Sequence, residues 1–317
     1  MYEGAQHAPT INASTIYGDK IAVGLLPGQF GSTKVKASDL QHDKIDTNPD
    51  RDFDINVNVI TRNSTVTLHD GDDHVTITET NNTIGLRYGW LNDRSTLNLG
   101  NGDNTLDVAR NIDSATVTAG NGDDVVTVGE WQKGGQGWIT KGSNIDLGNG
   151  NNTLTVGTNI EGSTVETGSG KDTIKVGNYI HNSTIRLGAG DDTLEITKPD
   201  VTNSDIDGGA GYDTLAITSP GTNVDLSSIA NKAHNFEELD ISNKGQSTTL
   251  NVKLSDVMNL TDNDNILKIT ADSGDKVAFK DGGWQKGASA DGYTTYTNDT
   301  TGTTVTVEIK DEVTQPM

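Results

Sequence analysis

Residues 120–128 read Gly-Asn-Gly-Asp-Asp-Val-Val-Thr-Val, and variants of this stretch recur along the chain. The glycine that opens each copy is found at six positions: Gly100, Gly120, Gly148, Gly168, Gly188 and Gly209. The steps between these glycines are 20, 28, 20, 20 and 21 residues, and a related stretch begins at His69. A period of this length is typical of a solenoid, in which each copy forms one coil.

Each copy contains two short apolar patterns. The sixth and eighth residues after the opening glycine are apolar, as in Val126 and Val128, and this alternation indicates a half-buried strand. A second strand lies before the glycine, with an apolar residue three positions upstream, as in Val117. These strands are too short to bury a face alone. We therefore predict an all-β parallel β-solenoid with about 20 residues and two strands per coil.

The strict repeat covers only the middle of the chain. We therefore predict three regions: the repeat itself and the segments before and after it. Residues 61–220 form the repetitive solenoid. Residues 1–60, with alternating Ile55, Val57 and Val59, are expected to form an N-terminal β region or cap. Residues 221–317 are expected to form a β-rich C-terminal cap, because an open solenoid end would expose unpaired strand edges.

Composition and charge exclude several classes of function. Lys and Arg number 23 against 45 Asp and Glu, a net charge of −22, which repels phosphate backbones and anionic lipids. We therefore expect no nucleic-acid partner and no membrane insertion. The absence of Cys excludes disulfides, thiol catalysis and Cys-ligated zinc. No basic and then apolar leader follows Met1, so we expect no classical signal peptide.

The glycine turns are candidate calcium sites. Alternate glycines allow positive φ angles, so that carbonyl groups can point into the turn, and stacking at about 4.8 Å sets carboxylates beside the carbonyls of the next turn. Calcium takes 6–8 oxygen ligands, and without a cation this acidic column would repel itself. The candidate metal ligands are Asp70, Asp72, Asp73, Gly100, Gly102, Asp103, Asn104, Gly120, Gly122, Asp123, Asp124, Gly168, Gly170, Asp172, Gly188, Gly190, Asp191, Asp192, Gly209, Gly211 and Asp213. The alternative is that Asn and Asp are present only because they favour tight turns.

The glycine and acidic positions resemble a known family. Residues 120–127 and 188–195 are similar to the calcium-binding nonapeptide of RTX (repeats-in-toxin, haemolysin-type) proteins. The resemblance implies bound Ca²⁺, here along one edge only, because one half-turn per coil carries the pattern. Residues 223–309 resemble the C-terminal end of large RTX adhesins. This second resemblance implies an uncleaved C-terminal signal, export by type I secretion machinery, and an extracellular protein, either free or associated with a cell surface.

Two enlarged coils suggest a binding edge. Both insertions fall between the two predicted strands, at the edge opposite the glycine turns, and they are rich in aromatic and charged residues. The candidate ligand-binding residues are Arg87, Tyr88, Trp90, Arg94, Glu130, Trp131 and Trp138. Exposed aromatic residues with polar neighbours often hold partner molecules, here an extracellular glycan or surface protein. The alternative is that the tryptophans plug the edge of the core.

Enzyme signatures are missing from the sequence. It contains no His-Glu-x-x-His, and Gly170-Lys171 is followed by Asp172 instead of the Ser or Thr of a phosphate-binding loop. We therefore predict a non-enzymatic, secreted, calcium-binding module of an RTX adhesin-like protein. One alternative is a β-helical polysaccharide lyase or hydrolase that acts at the Trp- and Arg-rich edge. A second is an ice-binding solenoid, which the outward Thr column favours and the charges in the next column oppose.

Overall fold

The structure is a computed structural model. It describes residues 52–57, 59–61, 63–78, 89–129, 137–219, 221–242 and 247–314, and, as strands, six short stretches between residues 10 and 47. The chain divides into two compact units, residues 1–168 (unit 1) and residues 169–317 (unit 2). Each unit is described by itself.

Unit 1 is a parallel β-solenoid with three sheets, and each coil of its described part gives one strand to each sheet. Sheet 1 contains β1 (Thr10–Ala13), β4 (Thr33–Ala37), β7 (Phe53–Val57), β10 (His74–Ile77), β13 (Thr105–Val108), β16 (Val125–Val128) and β19 (Thr153–Val156). Sheet 2 contains β2 (Ile16–Tyr17), β5 (Leu40–Gln41), β8 (Val59–Thr61), β11 (Trp90–Asn92), β14 (Ile112–Asp113), β17 (Trp138–Thr140) and β20 (Asn159–Glu161). Sheet 3 contains β3 (Ile21–Val23), β6 (Lys44–Thr47), β9 (Thr65–Thr67), β12 (Thr96–Asn98), β15 (Thr116–Thr118), β18 (Asn144–Asp146) and β21 (Thr164–Glu166). The predicted parallel β-solenoid is confirmed, and the strands of sheet 2 add a third strand to the two predicted for each coil.

Unit 1 is held together by apolar columns that face inward. In sheet 1, Leu106 pairs with Val126 and Val126 with Leu154, and all three are fully buried. Sheet 3 places Val117 in the core in the same way. Repeating the pattern at each coil stacks like residues on like residues, so a continuous core forms from strands of two to five residues.

Unit 2 also consists mainly of parallel strands, and it contains two short helices. Its largest sheet has the order β22 (Thr173–Val176), β25 (Thr193–Ile196), β27 (Thr214–Ile217), β30 (Glu238–Asp240), β32 (Ile266–Thr270), β36 (Val305–Lys310), β35 (Tyr293–Asn298) and β34 (Gln285–Ala290). The other elements are β23 (Ile180–His181), β24 (Thr184–Ala189), β26 (Asp205–Ala210), β28 (Asn223–Asp225), α1 (Ser227–Ala230), β29 (Ala233–His234), β31 (Thr249–Val252), α2 (Leu254–Leu260) and β33 (Lys276–Phe279).

The last three strands of the large sheet in unit 2 pair antiparallel with one another. β35 pairs antiparallel with both β36 and β34, whereas the pairs from β22 to β36 are parallel. All six residues of β34 are exposed, and a register shift follows Lys286. An irregular, polar edge strand opposes pairing with other chains.

The region boundaries predicted at residues 60 and 220 stay predictions. Neither helix in the described residues has the length and hydropathy needed to cross a membrane.

Candidate cation site at the glycine turns

The glycine turns stack backbone on backbone. Gly122 has a φ of +138°, and a Cβ there would overlap the carbonyl oxygen of Gly102 in the preceding coil. The same relation joins Gly150 to Gly122. Only glycine combines this φ with such a close approach. The carbonyl oxygen of one glycine therefore lies against the glycine of the next coil, and these oxygens repeat along the stack.

Where an acid directly follows the second glycine of a turn, it is exposed and binds the backbone of the next coil. The Asp72 carboxylate accepts the N–H of Asp103 at 2.9 Å, and the Asp103 carboxylate accepts the N–H of Asp123 at 2.8 Å. Asp123 accepts the N–H of Asn151 at 2.6 Å, and hydrogen bonds from the Asn151 backbone and side chain lower the pKa of Asp123. These carboxylates accept N–H groups of the neighbouring coil and so tie one turn to the next.

The residue two positions after the second glycine of each turn is a buried acid or amide, and these residues form a separate column. The backbone N–H of Asp73 donates to Oδ1 of Asn104, that of Asn104 to Oδ1 of Asp124, and that of Asp124 to Oδ1 of Asn152, each at 3.0 Å. In unit 2, the N–H of Asp172 donates to Asp192, that of Asp192 to Asp213 and that of Asp213 to Glu237. We call these two sets of residues the buried columns of the units.

The two residue types in the buried columns differ in their second side-chain atom. Nδ2 of Asn104 donates to the carbonyl of Gly102 at 3.0 Å, and Nδ2 of Asn152 lies 3.3 Å from the carbonyl of Gly150. Oδ1 makes the same bond at every step, so Oδ2 of an aspartate lies in the equivalent place, where it cannot donate. Oδ2 is buried without a partner in Asp124, Asp192 and Asp213. These three residues are at most 1% exposed.

Burial changes the protonation of these aspartates. Desolvation raises the pKa of Asp124 to about 6 and that of Asp213 to about 7, and neighbouring carboxylates, Asp103 and Asp123 for the first and Asp192, Glu237 and Asp191 for the second, add to both shifts. Desolvation also raises the pKa of Asp192. A buried carboxylate with one unsatisfied oxygen is costly, so it must gain a proton or a cation. Around neutral pH, either a proton or a cation can bind to these buried aspartates.

The donor set fits a hard cation that accepts mixed oxygen ligands. Within the described ranges, no three His, Asp or Glu side chains are placed so that they alone could hold a metal ion. Because Asn104 and Asn152 place Nδ2 beside glycine carbonyls, we expect the buried Oδ2 atoms of the aspartates beside such carbonyls as well, and Ca²⁺ accepts both kinds of oxygen. The exposed Asp70, Asp72, Asp103 and Asp191 belong to the outer part of the turn and bind N–H groups. The calcium ligands given above stay predictions.

Sequence reasoning missed two members of the buried columns as candidate ligands. Asn152 lies in the uncharged turn 148–152, and its place in the column becomes visible only through its bond to Asp124. Glu237 follows no Gly-x-Gly, yet its side chain accepts the N–H of Asp213 at 2.8 Å. Desolvation raises its pKa. The available signal was its position directly before a strand, the place that Asp213 takes before β27.

The candidate binding edge is partly described. Leu91 pairs with Ile112 and Ile112 with Ile139, so Trp90 and Trp138, which precede the first and last of these, lie in one column of sheet 2. Asn111 lies between them and accepts the backbone N–H of Trp138 at 3.0 Å. Both tryptophans are half-buried. Arg94 is exposed at the corner after β11 and has a φ of +62°. The other candidates, Arg87, Tyr88, Glu130 and Trp131, lie outside the described residues.

Comparison of the chain with protein-family models, with curated proteins and with solved structures finds no match. The RTX resemblance therefore rests on the residues quoted for it and stays a prediction.

Proposed function

We propose that this chain is a calcium-binding β-solenoid module of a secreted, RTX adhesin-like protein, without enzymatic activity. The observation that carries the proposal is the pair of buried, unpaired Oδ2 atoms of Asp192 and Asp213, which come from adjacent coils. Each of them takes the place from which an asparagine donates to a glycine carbonyl. A cation bound between carboxylate and carbonyl satisfies both oxygens, and extracellular calcium is abundant enough to bind moderate sites.

Calcium binding would couple to folding. A ligand that binds the folded state alone adds RT ln(1 + [L]/Kd) to its stability, which is about 2.7 kcal/mol at a hundredfold excess over Kd. Thermal melting in millimolar calcium and in chelator tests the proposal. We expect a higher melting temperature with calcium, and magnesium at equal ionic strength serves as the control because it demands a stricter octahedral geometry. Identical melting curves in all three conditions would contradict calcium binding.

Export is the second part of the proposal. The resemblance of residues 223–309 to the end of RTX adhesins supports type I secretion, which takes an unfolded substrate. Turns that require calcium would remain open at the low calcium concentration of the cytosol and close outside. Removal of residues 260–317 should abolish export by a matching type I system. Continued export of the shortened chain would contradict this assignment.

Attachment is the third part of the proposal. Trp90 and Trp138 share one column of sheet 2, with two coil steps of about 4.8 Å between them. Aromatic anchors at such an edge suit a glycan or a surface protein. We propose attachment rather than turnover, because the acids of the described turns repeat from coil to coil, whereas a catalytic pair would be a local exception to the repeat.

A further inference from the structure

The buried columns of the two units differ in composition. In unit 1 the column alternates between acid and amide: Asp73, Asn104, Asp124 and Asn152. In unit 2 each described position is acidic: Asp172, Asp192, Asp213 and Glu237. The hydrogen bonds from coil to coil are the same in both, so the difference lies only in what the second side-chain atom can do.

In unit 1 the side chains of the column asparagines donate hydrogen bonds to the carbonyl oxygens that a cation would need as ligands. Nδ2 of Asn104 donates to Gly102, and Nδ2 of Asn152 lies within 3.0–3.4 Å of the carbonyl oxygens of Gly148, Gly150 and Thr167. An amide N–H and a cation compete for the same lone pairs. The side chain therefore closes the turn by itself wherever the column carries Asn.

The outer part of the turns in unit 1 is also tied by amides. Nδ2 of Asn101 donates to Asp70 at 2.7 Å, Nδ2 of Asn121 donates to Asn101 at 3.1 Å, and Nδ2 of Asn149 donates to Asn121 at 2.9 Å. In unit 2 the middle residue of Gly-x-Gly is Ser169, Ala189 or Ala210. An alanine side chain offers no hydrogen bond, so the turns that contain Ala189 and Ala210 lack this second set of side-chain ties.

In unit 2 the unsatisfied oxygens come from adjacent coils. Asp192 and Asp213 follow each other in the column, and Glu237 is the next member. Adjacent coils are about 4.8 Å apart, which is close enough for one cation to contact acids of two turns. Asp124, in contrast, lies between Asn104 and Asn152 and is the only acid at that point of the column. Calcium affinity rises with the number of charged ligands.

We infer that the divalent-cation sites of this chain are confined to unit 2, in the turns that contain Asp192, Asp213 and Glu237, and that Asn104 and Asn152 replace the cation in unit 1. The inference rests on the proposed calcium binding and specifies where it occurs. Unit 1 then closes its turns without calcium, whereas unit 2 requires the ion.

The test compares Asp192→Asn with Asp124→Asn in the full chain. Both changes keep the Oδ1 acceptor, since Asp192 accepts the N–H of Asp172 and Asp124 that of Asn104, so both variants should fold. Equilibrium dialysis with calcium alone counts the bound ions. We expect Asp192→Asn to lose at least one ion per chain and Asp124→Asn to bind as many as the parent.

Hydrogen exchange of the parent chain gives a second, local measurement. Calcium should increase the protection of amides in β25 and β27 by at least tenfold and leave those in β13 and β16 unchanged. No calcium bound by the parent would overturn the proposed function together with this inference. If the parent binds calcium, but Asp124→Asn loses ions or Asp192→Asn loses none, the inference is overturned and calcium binding stands. Calcium-dependent protection in β13 and β16 would have the same meaning.

Discussion

The substitution Asn152→Asp changes one atom of the buried column and gives the sharpest test of how the turns are closed. Asn152 is fully buried, its Oδ1 accepts the N–H of Asp124, and its Nδ2 approaches three carbonyl oxygens at 3.0–3.4 Å. The change retains the shape of the side chain and the Oδ1 bond. It places a second acceptor where the chain now has a donor.

The expected cost follows from the neighbouring aspartate. Asp124 occupies an equivalent position, and burial raises its pKa from 3.8 to about 6, a shift worth about 3 kcal/mol once the group is ionised. Loss of the Nδ2 hydrogen bonds adds about 1–3 kcal/mol. In chelator at pH 8, Asn152→Asp should therefore destabilise its coil by about 4–6 kcal/mol. A native pKa above the unfolded value makes the cost grow as pH rises from about 4 to beyond 6. At pH 5 the carboxyl is protonated in the folded state and can donate, so the cost should fall to about 2 kcal/mol, most of it from the lower pKa of the unfolded chain.

Hydrogen exchange of the β19 amides measures the free energy of local opening directly. The matched control is Asn151→Asp, the same chemical change one residue earlier, at an exposed site beside Asp123. Solvent screens that pair, so the control should cost about 1 kcal/mol or less. Equal losses at pH 5 and pH 8, or a control as damaging as Asn152→Asp, would refute the reasoning about donor and acceptor.

Three further predictions concern the other parts of the molecule. In chelator the parent chain should be less stable to urea at pH 8 than at pH 5, because burial raises the pKa of Asp213 to about 7 and stability is lost as that group ionises. Gly122→Ala should cost about 3 kcal/mol or more in urea unfolding, since its Cβ meets a carbonyl oxygen at a φ of +138°; Gly162→Ala, at +59° with open space around it, should cost about 1 kcal/mol. Trp90→Ala and Trp138→Ala should lose attachment on a glycan array with nearly unchanged melting, whereas a loss of about 3–5 kcal/mol of stability would mean that these residues plug the core.

The core could be predicted from sequence because one period governs it. Val126 and Val128 alternate with Val125 and Thr127, and the structure buries the first two completely. The same register recurs at every copy, so one stretch identifies the inward positions of the others. Stacking of identical units makes this local pattern sufficient, since each strand meets only its equivalents in neighbouring coils.

The third strand and the buried column could not be predicted because they depend on how the coil bends. In sheet 2, Ile112 lies three residues before Ala115, the residue that precedes β15, whereas Ile139 lies four residues before Ser143, which precedes β18. Because this spacing varies from coil to coil, strands of two or three residues show no constant period in the sequence. In the turn, adjacent Asp123 and Asp124 look equivalent in sequence. The structure exposes Asp123 and buries Asp124, and the bond from the N–H of Asn104 to Oδ1 of Asp124, which places it in a column, becomes visible only in the structure.

Aspartate in the buried column calls for a reason other than packing. Asn and Asp have nearly the same shape, and the column forms the same backbone bonds with either, as Asn104 and Asp124 demonstrate. Asparagine satisfies the turn at any pH and ion concentration, so a column of Asn throughout would be the more stable solution. Aspartate makes closure of the turn conditional on a proton or a cation. On the proposed function, that condition is useful in unit 2, because a chain exported before folding benefits from a segment that stays open until it meets calcium.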